Sequence, residues 1–393
     1  MTLAVEGPER GGFFWKAVGD TGRVRRSVVP RPCCSSWAIE PVFDTLGLRV
    51  VGSVRREREM RRASSGSVNT WGEPRAFAAP RLSGMSSWND EERAALVALL
   101  RERPEGMSWS TITSEVAEAG SARAVWERFE SCGEATLFEL TSSEVPSVGR
   151  VEQALEDVVS WRGEDFEFLT FQDDRYPSRL LEVNQAPPFV FVRGKLVPGE
   201  SAVSVVGSRA ASDHGRAVAS EVARRLSEAG FTVLSGLANG IDAAAHRATL
   251  DSGGRTVAVL GNGIRRVYPA ANRELQERIA REGLILSQFW PDSPPTKQSF
   301  PMRNATMSAY GVATIIVEAG EHSGARIQAR MAVEHGRSVI LMRPVVEGTD
   351  WGRRLRTQPG VFVVDTPEEA VGVAERLTEG EREVSRLLAM VTS

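Results

Sequence analysis

The sequence predicts an α/β protein, a parallel sheet with helices on both faces, preceded by a small helical domain. Three observations predict it. Short apolar runs of strand length, rich in Val and Ile, recur at 203–206, 232–234, 256–260, 284–286, 314–317 and 339–341. Most gaps between them carry helical stripes, such as Val218, Val222 and Leu226, or Ala329, Met331 and Val333. The runs end in loops of Gly, Ser and Asn rather than in tight hairpin turns. Strands that alternate with helices pair in parallel, and the crossover helices cover both faces. The pattern is that of an extended Rossmann-like sheet.

The chain divides in order. Residues 1–84 carry 14 Arg/Lys against 8 Asp/Glu with little periodicity, and read as a disordered extension upstream of a start at Met85. A basic DNA-binding arm is the other reading. Residues 85–163 form the helical domain. Asn89 followed by Glu92 predicts a capping box, and Leu96, Leu99 and Leu100 give the stripe behind it. Further helices are predicted at 109–119, through Trp126 and Phe129, and at 151–161. A connector follows, in which Pro177, Pro187 and Pro188 force extended backbone along the sheet edge. The sheet domain spans 164–367, and 368–393 is a short helical tail.

Composition narrows the function classes. Net charge is −3 and 41% of residues are hydrophobic, so any nucleic-acid surface is a local patch on an ordinary globular core. The basic residues are nearly all arginine, with Lys16, Lys195 and Lys297 the lysines. Cys33, Cys34 and Cys132 make neither a disulfide framework nor a zinc spacing. No apolar run reaches membrane-spanning length, and a reduced, cytoplasmic location is expected. The four histidines, His214, His246, His322 and His335, show no ligand spacing, so neither metal nor cofactor is expected.

Ligands of such sheets sit beyond the carboxyl ends of the strands, and the unusual residues collect there. The first strand runs into Gly207-Ser208-Arg209, then a helix starting near Ser212. Glycine lets a backbone approach closely, a helix start offers N–H donors, and Arg209 supplies a phosphate fork. The second strand ends in Ser235-Gly236-Leu237-Ala238-Asn239-Gly240-Ile241-Asp242, with His246 on the next helix. Asp242 reads equally as a helix cap and His246 as a core residue. The third ends in Gly261-Asn262-Gly263. The third-strand loop is not a Walker loop, and no Gly-x-Gly-x-x-Gly turn follows the first strand, which argues against ordinary dinucleotide binding. Beyond the fourth strand stands Arg303-Asn304, and 320–325 carries Ser323-Gly324, with Arg326 and Arg330 one helical turn apart. Five such loops together point to an anionic ligand.

These residues resemble the DNA-processing protein A (DprA/Smf) family. The resemblance rests on the loops just quoted and on Tyr268-Pro269-Ala270-Ala271-Asn272, Phe300-Pro301-Met302-Arg303-Asn304 and Val317-Glu318-Ala319. It covers roughly 166–364. It implies a single-stranded-DNA-binding protein that dimerises, protects incoming DNA and assists loading of the RecA recombinase in natural transformation. It implies that Arg209 makes the family's Gly-Ser-Arg phosphate contact and that Arg303 and Asn304 belong to its Arg-Asn-Arg motif. With the loop reading, the expected DNA or phosphate contacts are Gly207, Ser208, Arg209, Ser235, Gly236, Asn239, Gly240, Gly261, Asn262, Gly263, Arg303, Asn304, Ser323 and Gly324. Ala305 replaces the second arginine of the family's Arg-Asn-Arg, and Gln328-Ala329 stands where Thr-Ala is usual. Arg343-Pro344 and Thr349-Asp350-Trp351 depart as well. No catalytic constellation is evident. The alternative is a nucleotide sensor or hydrolase of the wider lysine-decarboxylase-like Rossmann group, whose Pro-Gly-Gly-x-Gly-Thr-x-x-Glu motif the 320–325 loop lacks.

Overall fold

The computed structural model describes residues 3–5, 15–18, 24–25, 88–133 and 148–392. The chain forms two compact units, Met1–Trp71 and Gly72–Ser393. In the first, β1 (Leu3–Val5), β2 (Trp15–Val18) and β3 (Val24–Arg25) make a small antiparallel sheet. The disordered extension expected over 1–84 otherwise lies outside the described residues.

The second unit opens with four helices, α1 (Asp90–Glu102), α2 (Trp109–Ala119), α3 (Ala122–Gly133) and α4 (Val148–Trp161). Asn89 caps α1 by accepting the Glu92 N–H at 3.0 Å. The expected capping box is only half made. Glu92 turns its carboxylate to the Ser121 hydroxyl (2.8 Å) and the Ala122 N–H (2.7 Å), and so caps α3 instead. A carboxylate serves any nearby set of free helix-start donors, and here the tertiary fold brings α3 closer.

Two strands follow, β4 (Glu167–Thr170) and β5 (Phe189–Gly194), then β6 (Ala202–Val206), α5 (Asp213–Glu228), β7 (Thr232–Ser235), α6 (Ile241–Asp251), β8 (Thr256–Val259), α7 (Arg273–Glu282) and β9 (Leu284–Ser287). The chain continues through α8 (Ser299–Tyr310), β10 (Ala313–Ile316), α9 (Ala325–Glu334), β11 (Ser338–Met342), α10 (Arg343–Gly348), α11 (Asp350–Leu355), β12 (Val361–Val364) and α12 (Pro367–Thr392). The sheet order is β12-β11-β10-β6-β7-β8-β9-β5-β4. The sheet is mixed rather than wholly parallel. The proline-rich connector supplies β5 and β4, which add antiparallel beyond β9 because no crossover helix reverses the chain there.

The aromatic side chains explain that edge. Phe189 stacks on Trp290 at 4.4 Å between ring centroids, and Phe191 meets Trp161 of α4 edge-on at 5.0 Å. The helical segment therefore shares one core with the sheet, so the expected division at 163/164 marks a change of secondary structure, not a break in packing. Along β6, Val203 and Val205 face one core while Ala202 and Val206 face the other, the period-2 alternation of a sheet buried on both sides.

The topology decides where a site can lie. From β6 the chain winds outward through β7, β8 and β9, then returns to the far side of β6 with β10, β11 and β12. The loops after β6 and β10 thus leave the sheet in opposite directions and open a crevice between them. This is the switch point at which ligands bind in open α/β sheets.

Candidate functional site

A cleft of about 700 Å³ occupies that crevice. The loop after β6, with Gly207, Ser208 and Arg209, forms one wall, and 320–328 the opposite one. The start of α8, with Phe300, Arg303 and Asn304, forms the floor beside Lys297. Ser323 and Gly324 line the same cleft. A smaller recess lies on the other side of Arg209 and Phe300, bounded by Gly236, Asn239, Gly261 and Asn262. The dividing pair is a cation–π contact, the Arg209 guanidinium lying 5.0 Å from the Phe300 ring centre.

The structure corrects how the glycines work. Sequence reasoning assigned them to close approach by a ligand, but most serve close approach by the protein itself. A Cβ on Gly207 would meet the Glu318 carbonyl at 2.6 Å, and one on Gly261 the Phe300 ring at 2.8 Å. On Gly236 it would fall on the Arg303 guanidinium, and on Gly263 against the carbonyls of Trp290 and Pro291. Gly240 adopts φ +79°, against the carbonyls of Ser208 and Arg209. Gly320 and Gly324 differ, with nothing within 4 Å of an added Cβ.

The expected free N–H donors are also committed. Ser208 N–H donates to the Glu318 carbonyl at 2.7 Å. At the start of α5, the Glu318 carboxylate accepts from the Ser212 N–H at 3.0 Å and from the Ser212 hydroxyl. A side chain of this protein occupies the helix end where phosphate was expected. Asp242 does the same after β7, accepting from the N–H groups of Gly236 and Ala238 at 3.2 and 3.3 Å. Ser235 is fully buried and its hydroxyl donates to the Val205 carbonyl. Asn262, also buried, donates to the carbonyls of Gly263 and Arg266. Ser235, Gly240 and Gly263 line neither the cleft nor the recess.

Arg303 and Arg209 divide two roles that the motif alone did not separate. Arg303 is 6% exposed, and donates to the carbonyls of Gly236 (2.6 Å) and Val259 (2.9 Å) and to Asn304 Oδ1 (3.0 Å). It pins together the ends of β7 and β8. Burial lowers its pKa, Asp242 opposes that shift and Arg209 adds to it. Asp242 mirrors it, raised by burial and held down chiefly by Arg303. Arg209 is exposed, and no carboxylate pairs with it among the described residues. Lys297 is exposed as well. Ala305, where the family has its second arginine, is buried and does not line the cleft. Arg330, one turn from the exposed Arg326, pairs with Glu334.

His246 is a core residue. Thr256 gives its hydroxyl proton to the Val233 carbonyl, so His246 Nδ1–H is the donor in their 2.7 Å hydrogen bond. Burial, then the charges of Arg303 and Arg247, push its pKa down to about 3. Sequence reasoning named Lys297, Phe300, Gln328 and Trp351 but gave none of them a part in the site. Lys297 was visible as one of three lysines. Trp351 Nε1 donates to the Gly320 carbonyl at 3.2 Å and braces the open loop, a role no motif announces.

The family described as DNA recombination-mediator protein A matches residues 167–367. The chain is 43% identical over 179 residues to Protein Smf of Synechocystis, covering 44% of this chain and 45% of that protein. It is 36% identical over 212 residues to DNA processing protein DprA of Streptococcus pneumoniae, covering 53% of this chain and 75% of that one. The X-ray structure of DNA processing protein A from Streptococcus pneumoniae superposes with TM-score 0.57 at 28% identity, over 73% of this chain and 98% of that one. The match thus spans just under half the length of the Synechocystis relative. With a model match over half its length and the cleft at its switch point, the chain belongs to the DNA recombination-mediator protein A family.

Proposed function

We propose that this protein binds single-stranded DNA in the cleft between β6 and β10 and acts, without catalysis, as a recombination mediator. The observation that carries this reading is Arg209. Among the described residues it is an exposed guanidinium without a carboxylate partner at the mouth of a switch-point cleft, where about two thirds of the other described arginines are ion-paired. Lys297 adds a second charge on the same floor. A strand backbone laid across these two cations exchanges its counterions for them, while Phe300 offers a ring beside the path. Affinity is therefore salt-dependent and nearly independent of sequence at the backbone. The relatives named for DNA processing support a DNA-processing role, and we further propose that the protein protects incoming DNA and helps load a RecA-type recombinase as a homodimer. The absence of the Pro-Gly-Gly-x-Gly-Thr-x-x-Glu motif from 320–325 disfavours nucleotide hydrolysis.

Fluorescence anisotropy tests the reading with a labelled single-stranded oligonucleotide, its duplex and free mononucleotides. The single strand binds most tightly. Arg209→Ala lowers that affinity about tenfold or more, since a charge-assisted contact is worth ~1.5–3 kcal/mol. Its melting temperature stays unchanged, because the side chain is exposed. Equal binding of duplex, or parental affinity in Arg209→Ala, overturns the proposal.

A further inference from the structure

Gln328 lies on the second turn of α9, is 1% exposed and lines the cleft. Neither its Oε1 nor its Nε2 has a hydrogen-bond partner. Among the described residues it is the one buried amide with both ends unpaired, and no other buried side chain with an unpaired polar atom lines the cleft. The neighbouring amides are engaged. Asn262 donates to two carbonyls, Asn272 to the Leu237 carbonyl, and Asn304 accepts from Arg303. Buried polar groups are normally paired, and one that is not calls for a partner.

The chemistry of that partner follows from the amide. A phosphate only accepts, so it satisfies Nε2 and leaves Oε1 bare. A ligand that satisfies both presents a donor and an acceptor side by side, as the edge of a nucleobase does, and glutamine pairs with adenine in this way. The terminal torsion of glutamine is broad, so the amide turns to meet such an edge at little cost. We propose that Gln328 hydrogen-bonds the edge of a nucleobase whose phosphate lies at Arg209, so that this cleft discriminates bases. This inference rests on the proposed binding of single-stranded DNA and adds to it a base-reading position that the backbone contacts lack.

The test uses the full chain with short single-stranded oligonucleotides of dA, dC or dT and with an abasic sugar-phosphate chain of the same length. Gln328→Met keeps the shape and removes the amide. It weakens binding of the best-bound homopolymer about tenfold, within the range of a bidentate base contact. It brings the three homopolymers together and leaves the abasic chain and the salt dependence unchanged. The melting temperature stays level or rises, because an unpaired buried amide is lost. Gln328→Thr behaves likewise and guards against a folding defect peculiar to methionine. Parental base preference in both variants overturns the inference, as does an equal loss on the abasic chain or a lowered melting temperature in both. Arg209→Ala separates the two levels. It weakens the abasic and base-bearing chains alike if the cleft is the DNA site, and leaves both unchanged if the proposed function itself fails.

Discussion

The loops after β7 and β8 and the loop after β10 carry similar residues, glycines with Ser, Asn or His at the strand ends, yet they do opposite things. Around β7 and β8 the protein fills its own anion-receptive geometry. Asp242 takes the N–H groups, the Arg303 guanidinium lies against Gly236, and Trp290 and Pro291 close over Gly263. After β10, Gly320 and Gly324 stand open, and the nearby Gln328 has an amide with nothing to bind. The difference teaches that a glycine-rich loop at a strand end marks close approach without saying who approaches.

The comparison breaks first at Arg303. If the β7–β8 side is structural, Arg303→Ala removes the nearby charge that opposes the burial shift of Asp242 and leaves two buried strand-end carbonyls without their donor. Each buried acceptor left without its donor costs about 1–3 kcal/mol. Urea unfolding should show that loss, in contrast with the unchanged stability of Arg209→Ala. An Arg303→Ala protein that is fully stable but fails to bind DNA would move Arg303 to the ligand side.

Acid sharpens the same point through His246. Its pKa in the fold, about 3, lies well below the ordinary 6.5. The unfolded chain therefore takes up a proton near pH 6.5 that the folded chain refuses until about pH 3. Stability contributed by the neutral, buried ring is complete above pH 6.5 and declines as pH falls toward 3, by about 1.4 kcal/mol per pH unit below 6.5. Unfolding free energies at pH 7, 6 and 5 should show this decline, and His246→Gln should flatten it. An identical slope in that variant would place the proton uptake elsewhere.

Two glycine substitutions give the smallest effects and the cleanest contrast. Gly263→Ala forces a methyl against backbone carbonyls that cannot swing away, and overpacking of this kind costs about 1–3 kcal/mol. Gly324→Ala meets open space at ordinary helical angles, φ −60° and ψ −21°, so stability shifts by no more than about 0.5 kcal/mol. Thermal unfolding of the two side by side measures the difference. Equal destabilisation would mean that the β10 loop is as closed as its neighbours.

Much of the fold was legible because its signals are local. The six apolar runs became β6 to β11, the Ser212 helix start is the cap of α5, and the helices around Leu96, Trp126 and Trp161 stand where their stripes placed them. Strand β12 escaped although Val361 to Val364 are all apolar, because it is a short, half-exposed strand at the sheet edge. The site was legible only as a set of loops. Gly207, Ser208, Arg209, Arg303, Asn304, Ser323 and Gly324 do meet at one cleft, while Ser235, Gly240 and Gly263 turn inward.

By itself, then, the sequence determined periodicity, turn chemistry and family, since each depends on residues close in the chain or on an ordered string of motifs. The tertiary structure decided which charge is free. Arg209 and Arg303 look alike as letters, one after Gly207-Ser208 and the other before Asn304. Their burial follows from where α8 crosses the ends of β7 and β8, and that crossing is set by the return of the chain to the far side of β6. A guanidinium enclosed by carbonyls holds the fold together, whereas one left at a cleft mouth with only a ring for company keeps its charge for a ligand, and the cost of desolvating that charge makes the two roles exclusive.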